Sequence, residues 1–480
     1  MTKRDRWFKP RAAIQFFASA LLCLDATTGS TEDWPHFLGP RNNGTSTETG
    51  LLNSFPKEGP QKIWVRDIGT GYAAPSVRAG RLVLHHRRGN EEIVEAINAE
   101  TGKTVWTHKY PSRYVDPFGY NNGPRCSPLL TADYCYTYGA EGQLFCLNIK
   151  TGKPVWHRDT AKDWNVPVAF FGVGSTPILE GNKLIIMIGG QPNSGMVALE
   201  AKTGKTIWES VGKSNWEGVT TFGWRAEIPY NWTGHEKLAS YASPVAATIH
   251  GKRQLICFMR QGLCSVDPVT GKIGFSRWFQ SLVGDSVNAM NPVVQDDLVL
   301  ISAAYFRSGA MLLRVNPDGK SFQEVWKEPK RHPMDAADRD PQTGEWKIPV
   351  LEIHWMTPIL HQGHIYAFSG RNEPDASFRC VEFKTGRLKW TRDESWRKYG
   401  TKQPNVFGRG SLIHADNKLI ALGEGGLLGM FSLNSEKPTE LARWQVPEMH
   451  HPCWAGPVLS EKKLYLRSED KLVCLDFAKR

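Results

Sequence analysis

The sequence predicts an all-β protein, an eight-bladed β-propeller of four-stranded antiparallel blades that is closed by pairing of the N-terminal strand with the last blade. Three observations support this prediction. A phrase with a Thr-Gly turn and a tryptophan recurs along the chain, a second phrase with a proline precedes each copy, and one unmatched strand lies near the N-terminus. The 45 glycines and 18 tryptophans suit many short strands joined by tight turns and held by large rings.

The first phrase is an alternating strand, a Thr-Gly turn and a second strand that presents a tryptophan. Its copies are Ala96–Trp106, Cys146–Trp156, Ala198–Trp208, Cys380–Trp390 and, with phenylalanine in place of tryptophan, Ser265–Phe275. The pattern predicts a β-hairpin whose glycine takes a positive φ. We expect the small residue that opens each copy to receive a tryptophan from a neighbouring blade. The aromatic residues predicted to dock between blades are Trp64, Trp106, Trp156, Trp208, Phe275, Trp326, Trp390 and Trp444.

The second phrase pairs a small or polar residue with proline and continues into an aliphatic strand, so each unit holds four short strands. Its eight copies begin at Ala74, Ser127, Thr176, Ser243, Asn291, Thr357, Gly410 (without the proline) and Gly456. The eighth unit ends at Arg480 without a tryptophan strand, whereas Pro60–Asp67 is a strand with Trp64 and no unit of its own. Pairing between these two segments closes the ring and leaves no open sheet edge. An open solenoid, the alternative, needs capping ends instead.

The N-terminus has the pattern of a secretory signal peptide. A basic stretch, Met1–Arg11, precedes the apolar run Ala12–Leu24 and the small residue Ala26. A membrane anchor is the alternative, but the apolar run is short for a membrane span. The predicted organisation is a signal peptide (1–26), an N-terminal leader segment (27–58) and the propeller (59–480). The mature chain is therefore expected to be exported, either to the periplasm or out of the cell.

Composition excludes several classes of protein. With 40% hydrophobic and 22% charged residues, the chain is neither disordered nor collagen-like. The formal net charge is +11, but the basic residues are scattered and form no arm or helix that would follow a nucleic acid backbone. Beyond the N-terminal segment, no apolar run is long enough for a transmembrane span. We expect a monomer whose candidate partner is a protein or a glycan.

The recurring phrase resembles the repeat of the PQQ-repeat (quinoprotein-like) propellers over nearly the whole mature chain. Two branches of that superfamily are the quinoprotein alcohol dehydrogenases and the BamB-like proteins, which are non-enzymatic periplasmic scaffolds in outer-membrane protein assembly. The leader Asp33–Gly44 also resembles the opening of secreted PQQ-repeat proteins from planctomycete-type bacteria. The resemblance implies a ligand-binding or protein-interaction scaffold, or alternatively a divergent dehydrogenase acting on alcohols or sugars.

Pyrroloquinoline quinone and calcium are the cofactors that the dehydrogenase branch implies. In that branch two adjacent cysteines cap the quinone, and glutamate, asparagine and aspartate hold the calcium. This sequence has no adjacent cysteines and no segment that matches the calcium site. The acidic loop Asp338–Glu345 places its glycine and glutamate at the wrong offsets for an EF-hand. The sequence therefore favours a scaffold without catalytic residues or a metal.

Cysteines and histidines are expected to be structural. The cysteines at the small-residue position of the hairpin phrase, and so expected as buried free thiols, are Cys146, Cys380 and Cys474. Cys257 and Cys264 flank a glycine turn, where they either form a disulfide or stay reduced. His85 and His86 are adjacent on a strand and point to opposite faces, so they are not expected to share a metal.

Candidate ligand contacts are the residues just before the inner strands, because those strands line the channel of a propeller. They are Tyr72, Tyr120, Asn121, Arg125, Tyr241, His354, Trp355, Arg409 and Trp454. Two arginines among aromatic rings would suit an anionic or sugar-like ligand through bidentate hydrogen bonds and stacking. The insertions before blades four and six, Trp216–Trp232 and about Lys327–Ile353, are further candidates. The alternative is that their aromatic residues only pack their own loops.

Overall fold

A computed structural model describes residues 31–167, 171–216, 219–221, 227–229, 240–279, 287–305, 308–328, 349–371, 376–395 and 405–479. These ranges contain eight four-stranded sheets and one two-stranded sheet. All the strand pairs within the blades are antiparallel, which confirms the predicted eight-bladed propeller. The predicted signal peptide, the loop Asp338–Glu345 and most of both long insertions lie outside the described residues.

The strands follow the blades in chain order, and the inner strand of each blade comes first. After β1 (Lys62–Asp67), the first blade consists of β2 (Ser76–Arg78), β3 (Arg81–Arg88), β4 (Glu91–Asn98) and β5 (Thr104–Pro111). The second consists of β6 (Leu129–Leu130), β7 (Tyr134–Tyr138), β8 (Gln143–Asn148) and β9 (Pro154–Asp159). The third consists of β10 (Ile178–Glu180), β11 (Lys183–Gly190), β12 (Ser194–Glu200) and β13 (Thr206–Ser210). The helix α1 (Thr160–Asp163) lies between blades two and three, and β14 (Val219–Thr221) pairs with β15 (Glu227–Pro229) after a short 3-10 turn.

The remaining five blades repeat this arrangement. The fourth consists of β16 (Val245–Ile249), β17 (Lys252–Phe258), β18 (Gly262–Val266) and β19 (Ile273–Trp278). The fifth consists of β20 (Val293–Gln295), β21 (Leu298–Ala303), β22 (Gly309–Val315) and β23 (Phe322–Lys327), and the sixth of β24 (Ile359–His361), β25 (His364–Ser369), β26 (Ser377–Glu382) and β27 (Leu388–Asp393). The seventh consists of β28 (Ser411–Ala415), β29 (Lys418–Leu422), β30 (Leu427–Ser432) and β31 (Glu440–Gln445), and the eighth begins with β32 (Val458–Ser460), β33 (Lys463–Arg467) and β34 (Lys471–Asp476). Of the helical segments that the structure describes, none has the length and apolarity of a membrane span.

The N-terminal strand completes the eighth blade. In that sheet the strand order is β1-β34-β33-β32, so β1 is the outermost strand. Trp64 lies opposite Cys474 and Val65 lies opposite Val473 in an antiparallel register. The predicted closure of the ring is thereby confirmed. Because the first and last segments of the propeller share one sheet, opening the ring requires breaking a strand pair as well as a blade interface.

Tryptophans of the outer strands link each blade to the next. The Trp106 Nε1 of blade one donates a hydrogen bond to the Ile149 carbonyl of blade two at 2.9 Å. Its ring covers Gly152, where φ is +71° and an added Cβ would lie 2.4 Å from a ring carbon. Ala96, the small residue expected to receive a neighbour's indole, instead lies opposite Trp106 of its own blade. The indole of one blade packs on the turn glycine of the next blade, because glycine has no side chain to occupy that space.

The same contact recurs around the ring. Trp64, Trp156, Trp208, Trp326 and Trp444 lie on Gly102, Gly204, Gly271, Gly386 and Gly59, respectively. Trp390 donates its Nε1 hydrogen bond to the Asn434 carbonyl of blade seven at 3.0 Å. Phe275 has no indole N–H, and it contacts Phe322 of blade five with 5.4 Å between the ring centroids. The hydrophobic core therefore lies between the faces of adjacent blades.

The cysteines and paired histidines are buried within this framework. All the described cysteines are unbridged, and Cys257 and Cys264 lie directly opposite each other on β17 and β18. His85 Nε2 lies 3.3 Å from a carboxylate oxygen of Glu92, whereas His86 Nε2 lies 3.3 Å from a carboxylate oxygen of Glu95. The two imidazoles thus serve separate partners. Among the residues that the structure describes, no group of three or more His, Cys, Asp or Glu side chains could hold a metal ion.

Part of the leader pairs with blade seven, and this contact has a pH-dependent consequence. Burial, and then the neighbouring His361, lower the pKa of His414 from 6.5 to about 4. In this pH range the unfolded chain binds a proton at His414 more readily than the folded chain does. The free energy of unfolding therefore falls as the pH drops from about 6.5 towards 4, by about 2 kcal/mol after allowance for partial exposure of the ring. We expect His414→Gln to lose less stability than the parent between pH 7.5 and pH 4.5, measured by urea unfolding.

His364→Gln is the control for this prediction. His364 lies on β25, and its Nδ1 contacts only the Gln362 carbonyl in the adjacent turn, at 3.0 Å. This variant should follow the pH dependence of the parent. Identical pH dependence of the parent and His414→Gln would contradict the prediction.

Candidate functional site

A cavity lies at the end of the channel where the inner strands begin. Its volume is about 230 Å³. The structure brings eight of the nine predicted contacts to its lining: Tyr72, Tyr120, Arg125, Tyr241, His354, Trp355, Arg409 and Trp454. The ninth, Asn121, does not line the cavity, and its Nδ2 donates instead to Glu469 Oε1 at 2.7 Å. Whether these residues bind a ligand stays a prediction.

Seven aromatic rings form a continuous arc around the cavity, which we name the aromatic collar. In order, the collar is Tyr241, Phe171, Tyr120, Trp454, Trp355, His354 and Tyr305. Successive ring centroids lie 5.6, 5.8, 5.4, 5.1, 4.4 and 5.1 Å apart. The rings come from segments of six different blades, so only the closed propeller brings them together. Tyr72 extends the collar inward, with its centroid 4.9 Å from that of Trp454.

Arg409 is buried against the collar and already paired with a carboxylate. Its Nε and Nη2 donate to the two carboxylate oxygens of Glu424 at 2.9 and 2.8 Å, and its Nη1 donates to the Arg371 carbonyl at 2.8 Å. Glu424 is fully buried and also accepts a hydrogen bond from Trp454 Nε1 at 2.9 Å. The guanidinium lies 4.4 Å from the ring centroid of Trp355. Its bidentate face is therefore used within the protein, where the Glu424 carboxylate balances its charge.

Arg125 has an equivalent arrangement on the other side of the cavity. Its Nη2 donates to Asp116 Oδ2 and to the Asn121 carbonyl, both at 2.8 Å. The guanidinium also lies 5.5 Å from the ring centroid of Tyr72 and 5.1 Å from that of Tyr114. Both arginines that were predicted to bind an anionic ligand thus form ion pairs with buried carboxylates. Their charges hold the aromatic rings in place rather than facing the cavity unpaired.

His354 presents a hydrogen-bond donor. Arg409 Nη1 lies 3.3 Å from His354 Nδ1, and because a guanidinium can only donate, Nδ1 accepts and the ring proton is assigned to Nε2. Burial, and then the charges of Arg409 and Arg371, hold the pKa of His354 well below its ordinary value. The ring is therefore neutral at pH 7. The hydrogen bond of this ring within the described part of the chain is made through Nδ1, so its Nε2–H can donate to a ligand.

Two tyrosine hydroxyls are further donors. The Tyr241 hydroxyl accepts a hydrogen bond from the Phe171 backbone N–H at 2.8 Å, and burial raises its pKa to about 12. The Tyr72 hydroxyl accepts from the Asn121 backbone N–H at 3.5 Å, and burial raises its pKa as well. Each hydroxyl keeps its proton and can donate it. Together with His354, these tyrosines give the lining three neutral hydrogen-bond donors. The carboxylates nearest to the lining form ion pairs with arginines.

Several lining residues were missed by the sequence analysis. Trp34, Phe37 and Leu38 come from the leader and form one side of the cavity. Tyr305 lies between β21 and β22 rather than before an inner strand, so the proline-containing phrase does not mark it. The aromatic residues of the leader were a usable signal. Trp216, predicted as a loop candidate, packs in the core between blades three and four instead.

Comparison with known proteins agrees with the fold. A family model described as outer membrane protein assembly factor BamB, built on the PQQ repeat, matches residues 89–339, just over half of the chain. A curated relative with the same description, from Moranella endobia (strain PCIT), is 22% identical over 170 residues, which cover 34% of this chain. The match spans only 39% of that relative's length.

Solved structures with the same fold include both branches named above. The quinohemoprotein alcohol dehydrogenase from Comamonas testosteroni has a TM-score of 0.62 at 13% identity, covering 93% of this chain and 81% of its own. BamB from Moraxella catarrhalis has a TM-score of 0.53 at 13% identity, covering 88% of this chain and 98% of its own. At these identities the likeness shows the fold alone. Together with the family match, the repeats and the closed ring of blades show that this chain belongs to the PQQ-repeat propeller family described as outer membrane protein assembly factor BamB.

Proposed function

We propose that this protein is an exported, non-catalytic propeller that binds a small flat ligand within the aromatic collar. The observation that carries this proposal is the collar itself, seven rings around one cavity at which His354 presents a hydrogen-bond donor. Flat ligands are stabilised between aromatic faces by burial and by stacking. The predicted signal peptide and the outer-membrane role named for the family support export.

The charges around the cavity indicate which ligand it would take. Arg409 lies against Trp355, and Arg371 lies 5.2 Å from the ring centroid of Tyr305, so guanidinium groups already occupy faces of collar rings. A cationic ligand would meet these like charges, and the two described carboxylates nearest to the cavity, Asp116 and Glu424, are paired with arginines. A neutral or anionic ring that carries carbonyl or carboxylate oxygens would accept from His354 and the two tyrosines. We therefore propose an acceptor-bearing planar ligand.

The dehydrogenase alternative has less support. Its quinone would need free arginines for the cofactor carboxylates, and Arg125 and Arg409 are paired with Asp116 and Glu424. The described residues also offer no carboxylate cluster suited to calcium. These residues do not fit the cofactor. Binding of pyrroloquinoline quinone with calcium, together with dye reduction by an alcohol, would favour this alternative over a binding protein.

Three one-ring probes of matched size test the proposal. Benzamide is neutral, benzoate is anionic and benzylamine is cationic at pH 7. By isothermal titration calorimetry we expect benzamide and benzoate to bind about 10-fold or more tightly than benzylamine. Trp355→Ala should weaken benzamide binding by about 10-fold because it removes one stacking face.

Trp278→Ala is the matched control, since Trp278 lies on β19 and does not line the cavity. It should leave benzamide affinity unchanged. Absence of binding by all three probes, or equal binding to the parent and Trp355→Ala, would overturn the proposed function.

A further inference from the structure

The leader crosses the channel from blade one to blade four. At blade one, the Trp34 N–H donates to the Val77 carbonyl at 2.9 Å and the Val77 N–H donates back at 2.7 Å. At blade two, the Leu130 N–H donates to the Pro35 carbonyl at 2.8 Å. The leader then reaches the far side of the ring, where Asn42 Nδ2 lies 3.4 Å from the Pro244 carbonyl of blade four.

The leader returns along the last three blades. Gly44 is packed against Ile359 of blade six, and its carbonyl accepts from the His414 N–H of blade seven at 2.8 Å. The buried Glu48 accepts from the Lys462 N–H of blade eight at 2.7 Å. One segment outside the repeats thus contacts the inner strands or their turns in six blades. It fills a channel that the side chains of eight separated inner strands cannot fill.

The tip of this segment is a compact turn that faces the cavity. Leu38 and Gly39 have φ values of +61° and +75°, and the Gly44 N–H donates to the Leu38 carbonyl at 2.8 Å. Gly39 lies on the indole of the buried Trp34, where an added Cβ would be 2.9 Å from ring carbons. Trp34 therefore supports the turn from within. Phe37 and Leu38 are only half-buried and line the cavity.

We propose that the leader turn is the floor of the ligand site and that Phe37 determines how long a ring system the site accepts. This inference rests on the proposed function. The cavity is then blind: a ligand enters through the aromatic collar and stops at the side chain of Phe37. The floor belongs to the leader and not to a blade. A substitution in the leader can therefore change the ligand length that the site accepts while the repeats stay the same.

Two neutral probes of different length test this role. Benzamide has one ring and 2-naphthamide has two fused rings with the same amide. Removal of the phenyl ring by Phe37→Ala should raise the affinity for 2-naphthamide relative to benzamide by about 10-fold, measured by calorimetry. Phe37→Leu keeps most of the apolar volume and should give a smaller shift in the same direction. Tyr120→Ala, at the exposed rim, should weaken both probes alike.

A chemical measurement checks the location independently. All the described native cysteines are buried, so Phe37→Cys provides a thiol that a methanethiosulfonate reagent can reach through the cavity. Benzamide should protect this thiol from modification. If both probes bind and are weakened by Trp355→Ala, but Phe37→Ala leaves their ratio unchanged or benzamide gives no protection, the floor assignment is wrong and the proposed function stands. If neither probe binds the parent, both proposals fail.

Discussion

Replacement of Trp106 by alanine is expected to lower the free energy of unfolding by about 3–5 kcal/mol. The indole is only 9% exposed, and it packs on Gly152 of the next blade. Its removal leaves a cavity between two blades and removes the Nε1 hydrogen bond at 2.9 Å, so that the Ile149 carbonyl keeps only the one from Arg81 Nη1 at 2.7 Å. Because a glycine lies beneath the ring, no neighbouring side chain can fill the space. The measurement is the shift in the denaturant unfolding midpoint.

Two variants separate burial from hydrogen bonding at this position. Trp106→Phe keeps an aromatic ring, as blade four does with Phe275, and should cost about 1–2 kcal/mol. Val105→Ala is the control, because Val105 is adjacent in the chain but 48% exposed, and its effect should stay within about 0.5 kcal/mol. Equal destabilisation by Val105→Ala and Trp106→Ala would show that the docked ring is not what links the blades.

Loss of the closing strand is expected to have the largest effect of all. A chain that begins at Ile68 lacks β1, so it loses the pairing with β34, and it also loses the Trp64 ring from Gly102 of blade one. We expect a cost of roughly 5 kcal/mol or more, because a strand pair and a buried indole are removed together. The exposed edge of β34 should also promote association, which size-exclusion chromatography detects.

A chain that begins at Gly59 is the matched comparison for this prediction. It lacks the leader but keeps β1, so any effect of removing the leader is common to both chains. The difference in their unfolding midpoints therefore reports the closing strand together with Gly59, on which the Trp444 ring lies. Equal midpoints, with both chains monomeric, would mean that β1 contributes little to closure of the ring.

The fold could be predicted from the sequence because its determinants are local. Five of the hairpins are specified by a Thr-Gly turn between alternating strands, and the period repeats often enough to count the blades. Closure was predicted because Pro60–Asp67 is a strand without a blade of its own near the N-terminus, whereas the last blade lacks its fourth strand. The cavity candidates followed from the same regularity, since residues before the inner strands of a closed propeller converge on one end of its channel.

Side-chain pairs in the connections outside the repeated strands required the tertiary structure. Arg409 and Arg125 appeared as free cations, but the folded chain pairs them with Glu424 and Asp116, which no repeat pattern marks. Each pair lies within one connection or one blade, and the carboxylate that reaches each buried guanidinium is fixed only when the segment between them folds. The leader likewise has no repeat to predict its path. The position of the leader beneath the cavity depends on the width of the propeller channel, and only the assembled blades define that width.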